Sequence, residues 1–229
     1  MMIANQSMAG VFCLLALTAL FCSSTAALTD AQRKTVLQIH NQLRSDVALG
    51  KAVNKNGTNL PTGSNIFRVT YAKWVEKLAA DKADSCKFEH SYVNNMCNNL
   101  YLWAGNNFQS VDEALNSSIG AWYDELHADG LASLHTGKRG LNHFTELVWH
   151  DVIEIGCAVS NCTKITGIKA PKAKAFTFVV CDYAPGGNYV DDYVYLEGKP
   201  CSDCSAYKNS ACDETSGLCY RKGVPDIHE

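Results

Sequence analysis

Cysteine has the most chemistry to offer in this sequence of 229 residues, which holds eleven of them. That many thiols do not suit a reducing cytosol and point to an oxidising compartment. Cys201 and Cys204 have the C-x-x-C spacing of a redox dithiol or of half a zinc ribbon. Their surroundings, with Cys212 and Cys219, are Ser, Asp, Gly and Lys with little apolar content, so a disulfide-stapled tail is the stronger reading. Hydrolytic machinery is missing: no Gly-x-Ser-x-Gly elbow, no His-Glu-x-x-His helix and no phosphate loop occurs. Ser91 follows His90, but adjacency in sequence does not make a nucleophile–base pair. Tyr101, Trp103 and Phe108 crowd a run containing Gly105, Asn106 and Asn107. Rigid rings on such a loop can cover a flat apolar ligand while their polar edges face water. The alternative is that Tyr101 and Trp103 alternate along a strand and face a core.

The elements that must hold these residues start after a leader. Residues 1–27 carry no charged side chain, and the apolar run Val11–Cys22 precedes Ser23-Ser24-Thr25-Ala26-Ala27. This is the pattern of a signal peptide cut near Ala26 or Ala27, which would remove Cys13 and Cys22. No later stretch is apolar enough to span a bilayer, so a secreted, extracellular protein is expected. Three sequons agree with that route, at Asn56, Asn116 and Asn161. A net charge of −3 argues against a nucleic-acid partner. With 47% hydrophobic and 19% charged residues, one packed domain with a small appendage is expected.

Thr29 and Gln32 form a capping box that opens a first helix, with Val36, Ile39, Leu43 and Val47 at helical spacing. A polar loop over Lys51–Asn65 follows. A second helix is expected from Thr70 to about Ser85, with Trp74, Leu78 and Ala79 inward. Ser110 and Glu113 cap a third helix carrying Ala114, Ile119, Trp122 and Leu126. A short fourth carries Phe144, Leu147 and Val148. Strands are expected at Ile155–Ser160, Phe176–Tyr183 and Asn99–Trp103. Helices on both sides of a small sheet give an α+β or layered α/β/α class.

Four blocks then resemble a known family. Leu141-Asn142-His143-Phe144-Thr145-Glu146-Leu147-Val148-Trp149 and the stretch Phe178–Tyr189 look like the two signatures of the CAP superfamily (SCP/TAPS). His40-Asn41-Gln42-Leu43-Arg44 and Cys86-Lys87-Phe88-Glu89-His90-Ser91 match its other blocks, in the same order. The leader, single domain and short tail are most similar to the venom-allergen-like, activation-associated secreted proteins of nematodes. The resemblance implies a three-layer α-β-α sandwich over residues 28–190, with 191–229 as a cysteine-rich extension. It also implies a central cavity of two histidines and two acids. His90, His143 and Glu125 match three of these, while Asn98 stands where the second acid is expected.

An amide cannot ionise, so weak zinc binding by His90 and His143 is expected, lost when the rings protonate. Glu146 is a candidate replacement acid, one helical turn from His143. The structural alternative is a hydrogen-bonded network tying helices to sheet. By resemblance, Cys86 pairs with Cys162 and Cys157 with Cys181. The tail cysteines pair among themselves, with Cys201–Cys212 and Cys204–Cys219 expected. Cys97 is left free or bridging to a second copy. The family's sterol-binding members carry a motif matched by Tyr101, Trp103 and Phe108, and some relatives hold fatty acid between the first and third helices. The function so implied is non-enzymatic binding of sterol or other lipid, needing no cofactor, at a host–parasite interface. The alternative is a ligand for a host extracellular protein, and a metal-dependent hydrolase comes third.

Overall fold

The computed structural model describes residues 27–91, 95–136 and 142–229. The expected leader, apart from Ala27, and Leu141 of the first signature lie outside the described residues. In chain order the elements are α1 (Asp30–Ala48), β1 (Thr70–Ala72), α2 (Lys73–Asp84), β2 (Cys97–Gly105), α3 (Val111–Ala128), α4 (His143–Val148), β3 (Glu154–Cys162), β4 (Ala175–Ala184), β5 (Ser210–Asp213), β6 (Leu218–Arg221) and β7 (Ile227–His228). The main sheet has the order β2-β4-β3-β1-β7, and β5 and β6 form a separate hairpin. Strand β4 runs antiparallel to β2 and β3, whereas β1 is parallel to both β3 and β7. Helices α1, α3 and α4 pack on one face around Ile119, Trp122, Phe144, Val179 and Tyr183. Helix α2 covers the other through Ala79 and Ala83 against Leu100, Phe178 and Val180. No helix among the described residues is long and apolar enough to cross a membrane.

Both capping boxes form, at Thr29/Gln32 and Ser110/Glu113, each satisfying two otherwise unpaired backbone donors. On α1 the inward stripe is partly polar. Val36 and Val47 are fully buried and Ile39 and Leu43 only half-buried, because Arg33, His40 and Arg44 take inner positions. Each of these polar side chains finds partners. Arg33 grips Glu76 with Nε and Nη2 at 2.8 and 2.7 Å. His40 Nδ1 lies 2.8 Å from the Val36 carbonyl and Nε2 3.1 Å from the Tyr183 hydroxyl. Burial lowers the His40 pKa to about 4, so the ring is neutral. The Arg44 guanidinium is wholly buried and donates to the carbonyls of Phe67 (2.7 Å), Leu147 (2.9 Å), Trp149 (2.8 Å) and Val152 (3.2 Å).

The second helix departs from the sequence reading. Thr70–Ala72 are a strand, so α2 starts three residues later, and Val75, Glu76, Ala79 and Ala83 face inward. Trp74, expected inside, is 44% exposed. Gly156 on β3 fixes this phase, since a Cβ there would collide with the backbone of Val75 and Glu76. The cysteine-rich segment is knit into the domain: Val194, Tyr195 and Leu218 join the main core, and β7 completes the sheet edge. Arg221 donates to Glu154 at 3.1 Å beside it. Disulfides join Cys86–Cys162, Cys157–Cys181, Cys201–Cys212 and Cys204–Cys219.

Candidate functional site

A cleft of about 360 Å³ lies at the start of the edge strand β2, lined by His90, Cys97, Asn98, Asn99, Glu125, Asn142, His143 and Asn188. His143 opens α4 behind the Asn142 cap, whose Oδ1 accepts from the Thr145 amide at 3.1 Å. Its Nδ1 lies 2.6 Å from Glu125 Oε1 on α3, and Glu125 Oε2 accepts from the Phe144 amide at 3.1 Å. Burial raises the Glu125 pKa, but the His143 hydrogen bond and charge and the Phe144 amide outweigh it and leave a lowered value. Trp122 stacks on the His143 ring, with centroids 6.2 Å apart.

His90 is held by an amide instead. Its Nδ1 is 2.9 Å from Asn98 Oδ1, while Asn98 Nδ2 donates to Ser91 Oγ at 2.8 Å. Ser91 is thereby committed to Asn98 and has no hydrogen bond to His90. With Nδ1 engaged in each ring, both Nε2 atoms remain for the cleft, and the ring centroids are 6.1 Å apart. This donor set fits a zinc ion held by two imidazoles, one of them oriented by a carboxylate.

Glu146 does not line the cleft. It is 1% exposed, its Oε1 accepts the Gly187 amide at 2.9 Å, and Oε2 has no partner. Burial pushes its carboxyl up to about 8. The sequence reading missed Asp182, which faces Asn98 across the β2–β4 ladder. Burial raises its carboxyl to about 7, partly offset by the Asn98 amide and by Lys82. Only the strand register reveals this pair; a composition or motif signal for it does not exist.

Cys97 is the free cysteine among the described residues, with its sulfur 3.5 Å from the Gly187 carbonyl. Burial, helped by nearby Glu146 and Asp182, raises the thiol to about 12. The sulfurs of Cys201, Cys204 and Cys219 lie within 4.8 Å of one another, a cluster made by two disulfides and not by thiolates awaiting zinc.

The aromatic run divides. Tyr101 packs partly buried against the main core, whereas Trp103 and Phe108 are each 42% exposed. The Trp103 indole donates to the Asn107 carbonyl at 3.3 Å and lies across Gly105, where a Cβ would come within 2.9 Å of Nε1. The sequon asparagines Asn56, Asn116 and Asn161 are all exposed. Asn56 Oδ1 accepts from both the Thr58 amide (3.0 Å) and its hydroxyl (2.7 Å). In the other two, Ser118 is buried within α3 and Cys162 is tied to Cys86.

A family model described as Cysteine-rich secretory protein family (CAP) matches residues 37–183. Ancylostoma secreted protein from Ancylostoma caninum is 31% identical over 209 residues, covering 86% of this chain and 46% of that protein. This chain therefore spans less than half the length of that relative. Scoloptoxin SSD976 from Scolopendra dehaani is 29% identical over 195 residues, covering 82% of the chain and 83% of the toxin. Among solved structures, NaASP2 with Zn2+ superimposes with a TM-score of 0.71 at 30% identity, covering 84% of this chain and 97% of that one. Na-ASP-1 gives a TM-score of 0.74 at 30% identity, covering 87% and 49%.

Proposed function

The chain belongs to the cysteine-rich secretory protein (CAP) family, and from that membership we propose that it is a secreted, non-enzymatic protein that binds sterol or another lipid outside the cell. The observation that carries this reading is the pair of exposed rings, Trp103 near the end of β2, whose indole Gly105 leaves room for, and Phe108 on the segment that follows. Large rings left in water at one place mark a binding surface more readily than scattered apolar residues do. The four disulfides and the leader pattern support the extracellular setting. The cleft supports holding over turnover. Its ionised acid is committed to His143, its second acid is replaced by Asn98, and Ser91 is bound to that amide.

Labelled cholesterol with the purified protein tests this. Saturable binding is expected, and Trp103→Ala with Phe108→Ala weakens it by about tenfold or more, as loss of two aromatic contacts implies. No binding by correctly folded protein sinks the reading.

A zinc ion is a further occupant of the cleft, supported by the two imidazole nitrogens left for it; NaASP2, 30% identical, has been crystallised with Zn2+. Bound there, zinc would act as a Lewis acid toward a water or a carbonyl. The second reading is a ligand for a host extracellular protein at a host–parasite interface. It is favoured by Tyr189, Val190 and Tyr193, which follow Asn188 out of the cleft and are all exposed.

A further inference from the structure

We propose that the loop of residues 163–174, joining β3 to β4, docks the protein on anionic lipid bilayers, with Trp103 and Phe108 as its interfacial anchors. The proposal extends the lipid reading by naming the surface across which a lipid would be exchanged. Within a chain of net charge −3, this loop holds Lys164, Lys169, Lys172 and Lys174 and no acid. All four lysines are exposed, and none has an ion-pair partner among the described residues. The loop is also shaped. Ile165, Ile168, Ala170 and Ala173 pack inward against the α2-side core, so the intervening lysines are turned out to solvent. Its start is pinned by Cys86–Cys162 and by backbone bonds from Thr166 to Cys86 (3.0 Å) and from Phe88 to Thr166 (2.8 Å).

The rings and the charges share one end of the sheet. Gly105 pairs with Ala175 and Trp103 with Thr177, and the Lys174 amide donates to the Gly105 carbonyl at 2.9 Å. A concavity of about 540 Å³ separates Gly105 and Asn106 from Ala170, Pro171 and Lys172. Acids near this end have partners other than the four lysines, although hydrogen bonds leave the carboxylates of Asp84 and Glu113 charged. Asp84 accepts the Ser160 hydroxyl, Glu89 faces Lys82, and Glu113 accepts the Ser110 amide and hydroxyl. Unpaired lysines beside half-exposed aromatic rings complement the headgroup region of an anionic membrane, where amphipathic rings settle and cations are attracted. A soluble sulfated polymer would use the lysines and leave the rings idle, whereas a bilayer engages both.

Vesicle co-sedimentation tests this, using the mature protein with phosphatidylcholine vesicles with and without phosphatidylserine. Binding is expected only with phosphatidylserine, and it weakens as salt rises to physiological strength. At about fivefold per lysine, the variant Lys164→Ser, Lys169→Ser, Lys172→Ser, Lys174→Ser loses on the order of several hundredfold in affinity. Its circular dichroism and its binding of cholesterol in vesicle-free solution stay as in the parent. Trp103→Ala with Phe108→Ala keeps the salt dependence and loses about tenfold. Equal binding to both vesicle types, unchanged binding by the lysine variant, or retention on heparin without vesicle binding each overturns the proposal. Vesicle binding without sterol binding would remove the cargo reading and leave the docking surface standing; sterol binding without vesicle binding does the reverse.

Discussion

Glu125 and Asn98 hold two histidines by the same ring atom with different charge. A carboxylate makes the opposite ring nitrogen a better metal donor, whereas an amide only orients it. Zinc affinity is therefore expected to rest mainly on His143. Glu125→Gln should lower it by about 10- to 100-fold in calorimetric titration, the usual cost of losing such a partner. Asn98→Glu gains little by itself, because Asp182 across the ladder would face a second carboxylate. Glu146 gives a prediction about pH. Its carboxyl titrates near 8 in the folded protein against 4.5 for an ordinary glutamate. Below pH 4.5 both states hold the proton and nothing is lost. As pH rises toward 8 the unfolded chain releases it first, and folding loses free energy. Glu146→Gln is expected to leave urea stability unchanged at pH 4 and raise it by roughly 4–5 kcal/mol at pH 9, at about 1.4 kcal/mol for each pH unit between 4.5 and 8. An increase at pH 4 as large as at pH 9 would refute that account. Burial, with the nearby acids adding to it, keeps the Cys97 thiol protonated at neutral pH, which makes disulfide-linked dimerisation through it slow. The histidines, Glu125 and Asn98 were legible as residue types in family blocks. Asp182 was not, because its importance comes from strand register, which no local spacing encodes.

The elements that declare themselves in sequence are those with local chemistry at their ends. Helices α1 and α3 have capping boxes, and β3 and β4 carry β-branched or aromatic residues between turn residues, so each is readable within a few residues. Strands β1 and β7 are three and two residues long and exist only because neighbours offer a ladder. A helix read from Thr70 places Trp74 inside, whereas with Thr70–Ala72 as strand the helix starts at Lys73 and Trp74 faces solvent. The true phase depends on Gly156, which lets the first turn of α2 rest against β3. Gly156→Ala forces backbone against backbone, and flexible side-chain adjustment does not relieve that. A loss of about 3 kcal/mol or more is expected, seen as a fall in urea midpoint or as failed secretion. Tyr101 and Trp103 show the same dependence on neighbours. They share a strand face, yet Tyr101 reaches the main core and Trp103 is left half-exposed.

On the scale of the molecule, the late cysteine-rich segment is fastened at three places: core residues around Tyr195, the disulfides of the hairpin, and β7 on the sheet. Composition showed the need for staples there but not the docking, since Val194, Tyr195 and Leu218 are few and scattered. Cys204–Cys219 closes a separation of 15 residues, and Cys219 is fully buried beside Phe67. Removing it with Cys204→Ser and Cys219→Ser should cost about 3 kcal/mol by chemical denaturation, the chain-entropy value for such a loop. A change below measurement error would mean that β7 and Tyr195 secure the segment unaided. Arg44 acts over a comparable range. One cation from α1 holds carbonyls from the segment before β1, the last turn of α4 and the chain leading to β3. Opening any one of these strips partners from a charge that has no water to replace them. The amides around Phe67, Leu147 and Val152 should therefore exchange with deuterium together, at the rate of global unfolding, as one cooperative unit drawn from three distant stretches of chain.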